Sequence, residues 1–151
     1  MAIAPLEDDT SPWAALTDGD RAAWSRIRLE RPQLASPFFS LGWHDAIDEI
    51  RADVEVLRIR RNGEPAGFLP FSRSPFGRLH PVGAPMADWH GLVGPVGLRP
   101  GVSDLLRAAR GKAFRFSGAP ADDRHEWGVT RNRPPAAILL YDRYGKRTAR
   151  I

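Results

Sequence analysis

Residues 54–71, VEVLRIRRNGEPAGFLPF, decide the fold. Val54–Arg60 reads as a strand and Ala66–Phe71 as its returning partner. Asn62-Gly63 between them is a strong hairpin signal, because a two-residue turn that matches strand twist needs positive φ at both central positions. Pro70 has no N–H to donate, which places the second strand at a sheet edge or ends its pairing there.

Upstream of the hairpin the pattern turns helical. Asp18 and Asp20 are candidate N-caps for a helix over Arg21–Arg31 with Ala23, Trp24 and Ile27 on one face. Pro32 closes it, since the residue before a proline is pushed out of helical geometry. After the apolar loop ASPFFS, Ser40 caps a second helix whose Trp43, Ile47 and Ile50 recur at helical spacing, with Asp45, Asp48 and Glu49 facing water. Residues 1–19 read as a loosely held arm.

Downstream, the stretch 67–97, GFLPFSRSPFGRLHPVGAPMADWHGLVGPVG, gathers apolar residues, turn residues and reactive side chains more closely than any other. Arg78–Val82 and Trp89–Val93 are two further short strands, with irregular backbone over VGAPMAD. Gly101–Arg110 is a third helix, with Val102, Leu105, Leu106 and Ala109 inward and Gly111 as its stop. Ala113–Ser117 is a strand with Phe114 and Phe116 on one face. Residues 119–135 are polar and turn-rich, Ala136–Tyr141 forms one last strand, and the basic end of the chain reads as unstructured. The order of elements predicts an α/β fold, an α+β mixed sheet.

Composition bounds the function. The chain has 151 residues, enough for a core, 42% hydrophobic and 26% charged. No apolar run approaches the roughly 20 residues of a membrane helix. The N-terminus carries acids where a signal peptide has basic residues, and there is no Cys, which points to a cytoplasmic protein without disulfides. The net charge of +4 comes almost wholly from dispersed Arg, with Lys112 and Lys146 the exceptions. No basic stripe alternates with aromatics, which disfavours nucleic acid.

Asp88-Trp89-His90 offers the clearest chemistry. On a strand Asp88 and His90 share a face, and an imidazole oriented by a carboxylate serves as a general base near neutral pH. The plain alternative is a turn aspartate followed by a half-buried histidine. His44 flanks the stripe of the second helix; His80 and His125 have no evident partner, and four dispersed His give no metal site. Ser40, Ser72 and Ser117 lack a nucleophile-elbow context. There is no phosphate-binding loop: Arg110-Gly111-Lys112 follows a helix rather than feeding one.

Taken together, PFFSLGWHDAI, GEPAGFLPFSR, GRLHPVGAPMADWHGLV and AFRFSGAP resemble the N-terminal half of CelD-type, cellulose-biosynthesis-protein-like acetyltransferases of the GNAT superfamily, relatives of the FemAB-type transferases. Pro37, Phe38, Ser40 and Trp43 match the family's opening of the second helix. Gly67, Leu69 and Pro70 match its G-L-P strand, and Gly83 through Gly91 match a segment in which Trp89 replaces a Tyr. The resemblance spans roughly residues 20–120 and implies a GNAT-like fold in a half-length version. It divides the chain into an arm over 1–19, the GNAT-like domain over 20–120, and a polar loop with a basic tail over 121–151. It further implies N-acetyl transfer from acetyl-CoA to an amine, on a sugar or exopolysaccharide precursor. Asp88 and His90 would be catalytic, and Trp89, Gly91 and Trp43 substrate-binding. The acetyl-CoA site itself is expected in a C-terminal half outside this sequence. The rival expectations are a non-catalytic partner domain, or homo-oligomer, that packs against a separate acyltransferase, and a small basic nucleic-acid binder.

Overall fold

The computed structural model describes residues 7–87, 90–98, 100–116, 138–141 and 147–150. The hairpin forms as expected. β2 (Val54–Arg61) and β3 (Glu64–Ser74) pair antiparallel through a turn in which Asn62 and Gly63 both have positive φ, 52° and 77°. β1 (Glu7–Pro12) adds antiparallel to the free side of β2. β4 (Arg78–His80) pairs antiparallel with β3, and β5 (Ala113–Phe116) runs parallel to β4. β7 (Arg147–Arg150) and β6 (Ile138–Tyr141) continue the sheet in the order β1-β2-β3-β4-β5-β7-β6.

Helices cover both faces of this mixed sheet. α1 (Asp18–Glu30) and α2 (Leu41–Arg51) bury Trp24, Ile27 and Ile47 against Val54, Val56 and Phe68 on one face. α3 (Val102–Ala108) buries Leu105 and Leu106 against Leu57, Leu69, Phe71 and Phe114 on the other. β2 serves both cores, sending Val54 and Val56 to the first and Leu57 and Ile59 to the second. Each of the first two helices has a side-chain cap. Thr17, not an aspartate, is the N-cap of α1; its hydroxyl accepts from Asp20 N, and Asp20 returns the bond to Thr17 N, a capping box. Ser40 caps α2 as expected.

Further expectations are corrected. The arm over residues 1–19 is, from Glu7 on, an edge strand followed by Trp13, which is only 1% exposed and packs edge-on against Trp24 at 5.3 Å. Ile50 is 80% exposed; His44 takes the buried place beside Ile47, because the core meets α2 one position off the apolar stripe. Trp89–Val93 is no strand: among its described residues only Val93 makes a bridge, exchanging 2.8 Å hydrogen bonds with Phe68. Gly111 is not the left-handed stop of α3. That conformation falls on Arg110 (φ 52°), and Gly111 is required because a Cβ there would meet Leu79 at 2.5 Å. Finally, the tail expected to be unstructured contributes β7. Pro70 neither places β3 at an edge nor ends its pairing: β3 lies between β2 and β4 and stays paired with β2 through Pro70 to Ser72, and the proline is tolerated because of a gap on its other side. β4 pairs only from Ser72 onward and the Val93 bridge lies at Phe68, so the missing N–H of Pro70 falls between the two. The side chain of Phe116 and the residues Asp88 and Trp89 lie outside the described residues.

Candidate functional site

The segment after β4 is anchored to the helices by long-range contacts. Trp43 of α2 donates its indole N–H to the Val82 carbonyl at 2.9 Å. Its ring lies directly on Gly83, whose φ of 84° and whose lack of a Cβ are both needed there, since a Cβ would stand 2.4 Å from Trp43 Cζ2. Phe38 meets the same indole edge-on at 4.9 Å. Further along, the buried guanidinium of Arg31 donates to the Gly94 carbonyl at 2.8 Å. Trp43 is thus half-buried and committed to holding a turn.

His90 is 5% exposed and stacks on Phe114 of β5 with ring centroids 4.6 Å apart. Gly91, Leu92 and Val93 beside it are buried as well. Burial pushes the His90 imidazole down to about 3, helped by repulsion from His44. His44 is held down at about 4 by burial, which outweighs its 2.7 Å hydrogen bond to the Ser40 carbonyl. It stacks on Trp13 at 4.7 Å and meets Trp24 edge-on at 5.2 Å. Both rings are neutral at physiological pH and packed among aromatics. Of the residues singled out by sequence, the structure brings Trp43 onto Gly83, where the indole stays partly exposed, and His90 onto Phe114, where the imidazole is closed to solvent.

A second cluster escaped the sequence reading. Arg51, Asp53, Ser72, Ser74, His80 and Pro81 line a cleft of about 290 Å³ between the end of α2 and the carboxyl end of β4. The β3–β4 register sets Ser72 opposite His80. Ser74 Oγ gives its hydrogen to the Arg78 carbonyl at 3.2 Å, and therefore accepts from His80 Nε2 at 3.0 Å. Asp53 Oδ2 accepts from Arg51 Nη2 at 3.0 Å, whereas Asp53 Oδ1 and the Ser72 hydroxyl are buried with no hydrogen-bond partner. Arg73 lines the same cleft, and its guanidinium clasps Glu55 at 2.6 Å and the Ala109 and Arg110 carbonyls at the end of α3. The signal for this cleft was partial: the turn at Pro75–Gly77 brings β3 and β4 together, but the register that sets Ser72 and Ser74 across from His80 and Arg78 comes from the packing.

A larger cleft of about 520 Å³ runs along α3, lined by Asp8, Ile59, Pro100, Gly101, Asp104 and Arg107 among others. Asp104 occupies the first turn of α3 and is paired with Arg107 at 3.0 Å. Its described charged groups are two carboxylates and one guanidinium, an unfavourable setting for a diphosphate. Among the described residues there is no cluster of metal-ligating side chains, and no helix is long and apolar enough to cross a membrane. Comparison with protein-family models, with curated proteins and with solved structures gives no match.

Proposed function

We propose that this chain is a domain of a GNAT-like N-acyltransferase that handles the amine acceptor, with the acetyl-CoA donor held by another half or partner. The observation that carries the reading is the one parallel pair among the described strands, which otherwise pair antiparallel. β4 and β5 are joined by the crossover helix α3 and share only two registered positions, Arg78 with Ala113 and Leu79 with Phe114. Parallel neighbours point their carboxyl ends the same way, and ligands of α/β sheets collect outside those ends. The segment 81–98, with the motif behind the family resemblance, emerges there and folds back onto β3 and β5.

The acetyl-CoA fit is poor in the described residues. They offer Asp104 where N–H groups at the start of α3 would have to meet the diphosphate, and Asp8 lines the same cleft. No step is therefore routed through acetyl-CoA on this chain. A partner is favoured by one further observation: Phe76 and Met86 are 87% and 67% exposed and closely follow the cleft residues Ser74 and Pro85 in sequence.

The test is the melting temperature with and without 1 mM acetyl-CoA. The acceptor-side reading expects a shift below about 1 °C. A ligand at about 100 times its Kd stabilises by roughly 2.7 kcal/mol, or several degrees in a chain of this size. A rise of that order would overturn the division and put the donor site in this chain.

A further inference from the structure

We infer that the turn between β3 and β4 is a docking tip for an anionic lipid surface, with Phe76 as the inserted side chain and Arg78, Arg110 and Lys112 as the cations that meet the headgroups. Phe76 is 87% exposed and sits at the top of the turn Pro75–Gly77. Its backbone is left-handed (φ 68°, ψ 20°), a conformation that a bulky aromatic residue rarely adopts. The turn is nonetheless braced on both sides. The Lys112 N–H donates to the Gly77 carbonyl at 2.8 Å, and the Ser74 hydroxyl to the Arg78 carbonyl at 3.2 Å. A strained aromatic that is held in water contributes almost no burial to the fold, and such an outlier points to binding.

Exposed cations surround the tip. The β4–β5 register sets Arg78 beside Ala113, so Arg78 and Lys112 flank the turn. Arg110 joins them where its carbonyl accepts from Arg73 at 3.0 Å. None of these three cations makes an ion pair or a side-chain hydrogen bond among the described residues. The carboxylates at this end, Asp53 and Glu55, are already paired with Arg51 and Arg73. Shape and charge then select the occupant. Phe76 projects from a turn rather than into a pocket, which gives a small anion no enclosure. Single-stranded nucleic acid stacks on successive aromatics, and Phe76 is the one aromatic among the exposed large hydrophobic residues described. A protein partner would have to fix three long, unpaired side chains against matching carboxylates, at a cost in rotamer freedom. An anionic bilayer neutralises them through a diffuse potential, about fivefold in affinity per cation, and admits an apolar ring at headgroup depth.

Lipid binding at this tip goes beyond the function proposed above and does not rest on it; it leaves Met86 as the exposed side chain for a partner. The experiment is cosedimentation of the 151-residue chain with vesicles of phosphatidylcholine, alone or with phosphatidylserine. The anionic vesicles are expected to bind about tenfold or more tightly than the neutral ones. That preference should vanish between 0.1 M and 1 M salt, where the Debye length falls from about 10 Å to about 3 Å. Arg78→Gln combined with Lys112→Gln is expected to weaken binding about 25-fold. Phe76→Asn suits left-handed backbone, so it should not lower the melting temperature, yet it should weaken binding several-fold. The chain has no Cys, so a nitroxide on Phe76→Cys reports that position alone. It should become shielded from an aqueous relaxation agent on anionic vesicles, while a nitroxide on Leu29→Cys, a position also 87% exposed, stays in water. Equal binding to both vesicles, unchanged binding by Phe76→Asn, or a label at position 76 that stays in water overturns the inference. Retention on a single-stranded oligonucleotide or on polyglutamate without vesicle binding also overturns it and gives the tip to that partner. Acetyl-CoA has no part in these measurements, so the lipid surface and the acceptor-side reading fail separately.

Discussion

Buried neutral histidines make this fold acid-labile well above the range where carboxylates protonate. His90 and His44 have pKa values of about 3 and about 4 in the folded protein, both lowered mainly by burial. An unfolded His titrates near 6.5. Between those limits the unfolded chain binds more protons than the folded one, so stability rises with pH. The contribution is fully present above 6.5 and is lost as pH falls toward the folded values. From pH 7.5 to pH 5.5 each ring costs about 1.4 kcal/mol of stability, and the two together about 2.7 kcal/mol. That corresponds to a fall of roughly 5–10 °C in melting temperature for a chain of this length. Asp20 and Asp45 do not confuse the window, because both have lowered carboxyl pKa values and act only below the ordinary carboxylate range. At Asp20 burial opposes the lowering, which hydrogen bonds from Thr17 and Arg58 and the charge of Arg60 produce; at Asp45 a hydrogen bond from Arg21 is the main cause. Urea unfolding at the two pH values measures the effect, and His90→Gln should cut the loss to about half. A wild-type difference below about 0.5 kcal/mol, or a His90 ring that titrates near 6.5 by NMR, would refute the packing account and return His90 to the role of an accessible base.

Besides the experiments above, two substitution pairs probe α1 and the loop after β4. Asp20 is 1% exposed and faces Arg58 and Arg60 at 3.3 and 3.4 Å, so Asp20→Asn should cost about 2 kcal/mol by leaving these half-buried guanidinium groups with Asp9 as their one remaining carboxylate among the described residues. Thr17→Ala, which removes only the cap, should cost about 1 kcal/mol; equal effects in urea unfolding would mean the ion pairs contribute nothing. Gly83→Ala should destabilise by about 2–4 kcal/mol through positive φ and collision with Trp43. Gly42→Ala, in open space on α2, should gain about 0.5–1 kcal/mol; a neutral Gly83→Ala would show that Trp43 is free to move.

The sequence by itself determined what is local. Thr17 to Asp20, Ser40 to Trp43 and Asn62-Gly63 are interactions of residues within a turn of each other, so α1, α2 and the central hairpin are legible from caps, spacing and turn chemistry. The α/β class follows from them. What only the tertiary structure decided depends on partners far apart in the chain. β1 is polar and has no apolar alternation to announce it; it exists because β2 offers a free edge and Trp13 a place under α1 and α2. His90 looked like a base beside Asp88 until Phe114, twenty-four positions on, closed over its ring. The cleft at the carboxyl end of β4 joins Asp53 from the end of α2 to Ser72 on β3 and His80 on β4. A one-residue slip in the β3–β4 register would have turned Ser72 to the opposite face, and nothing in the run of residues fixes that register except the packing of both sheet faces at once.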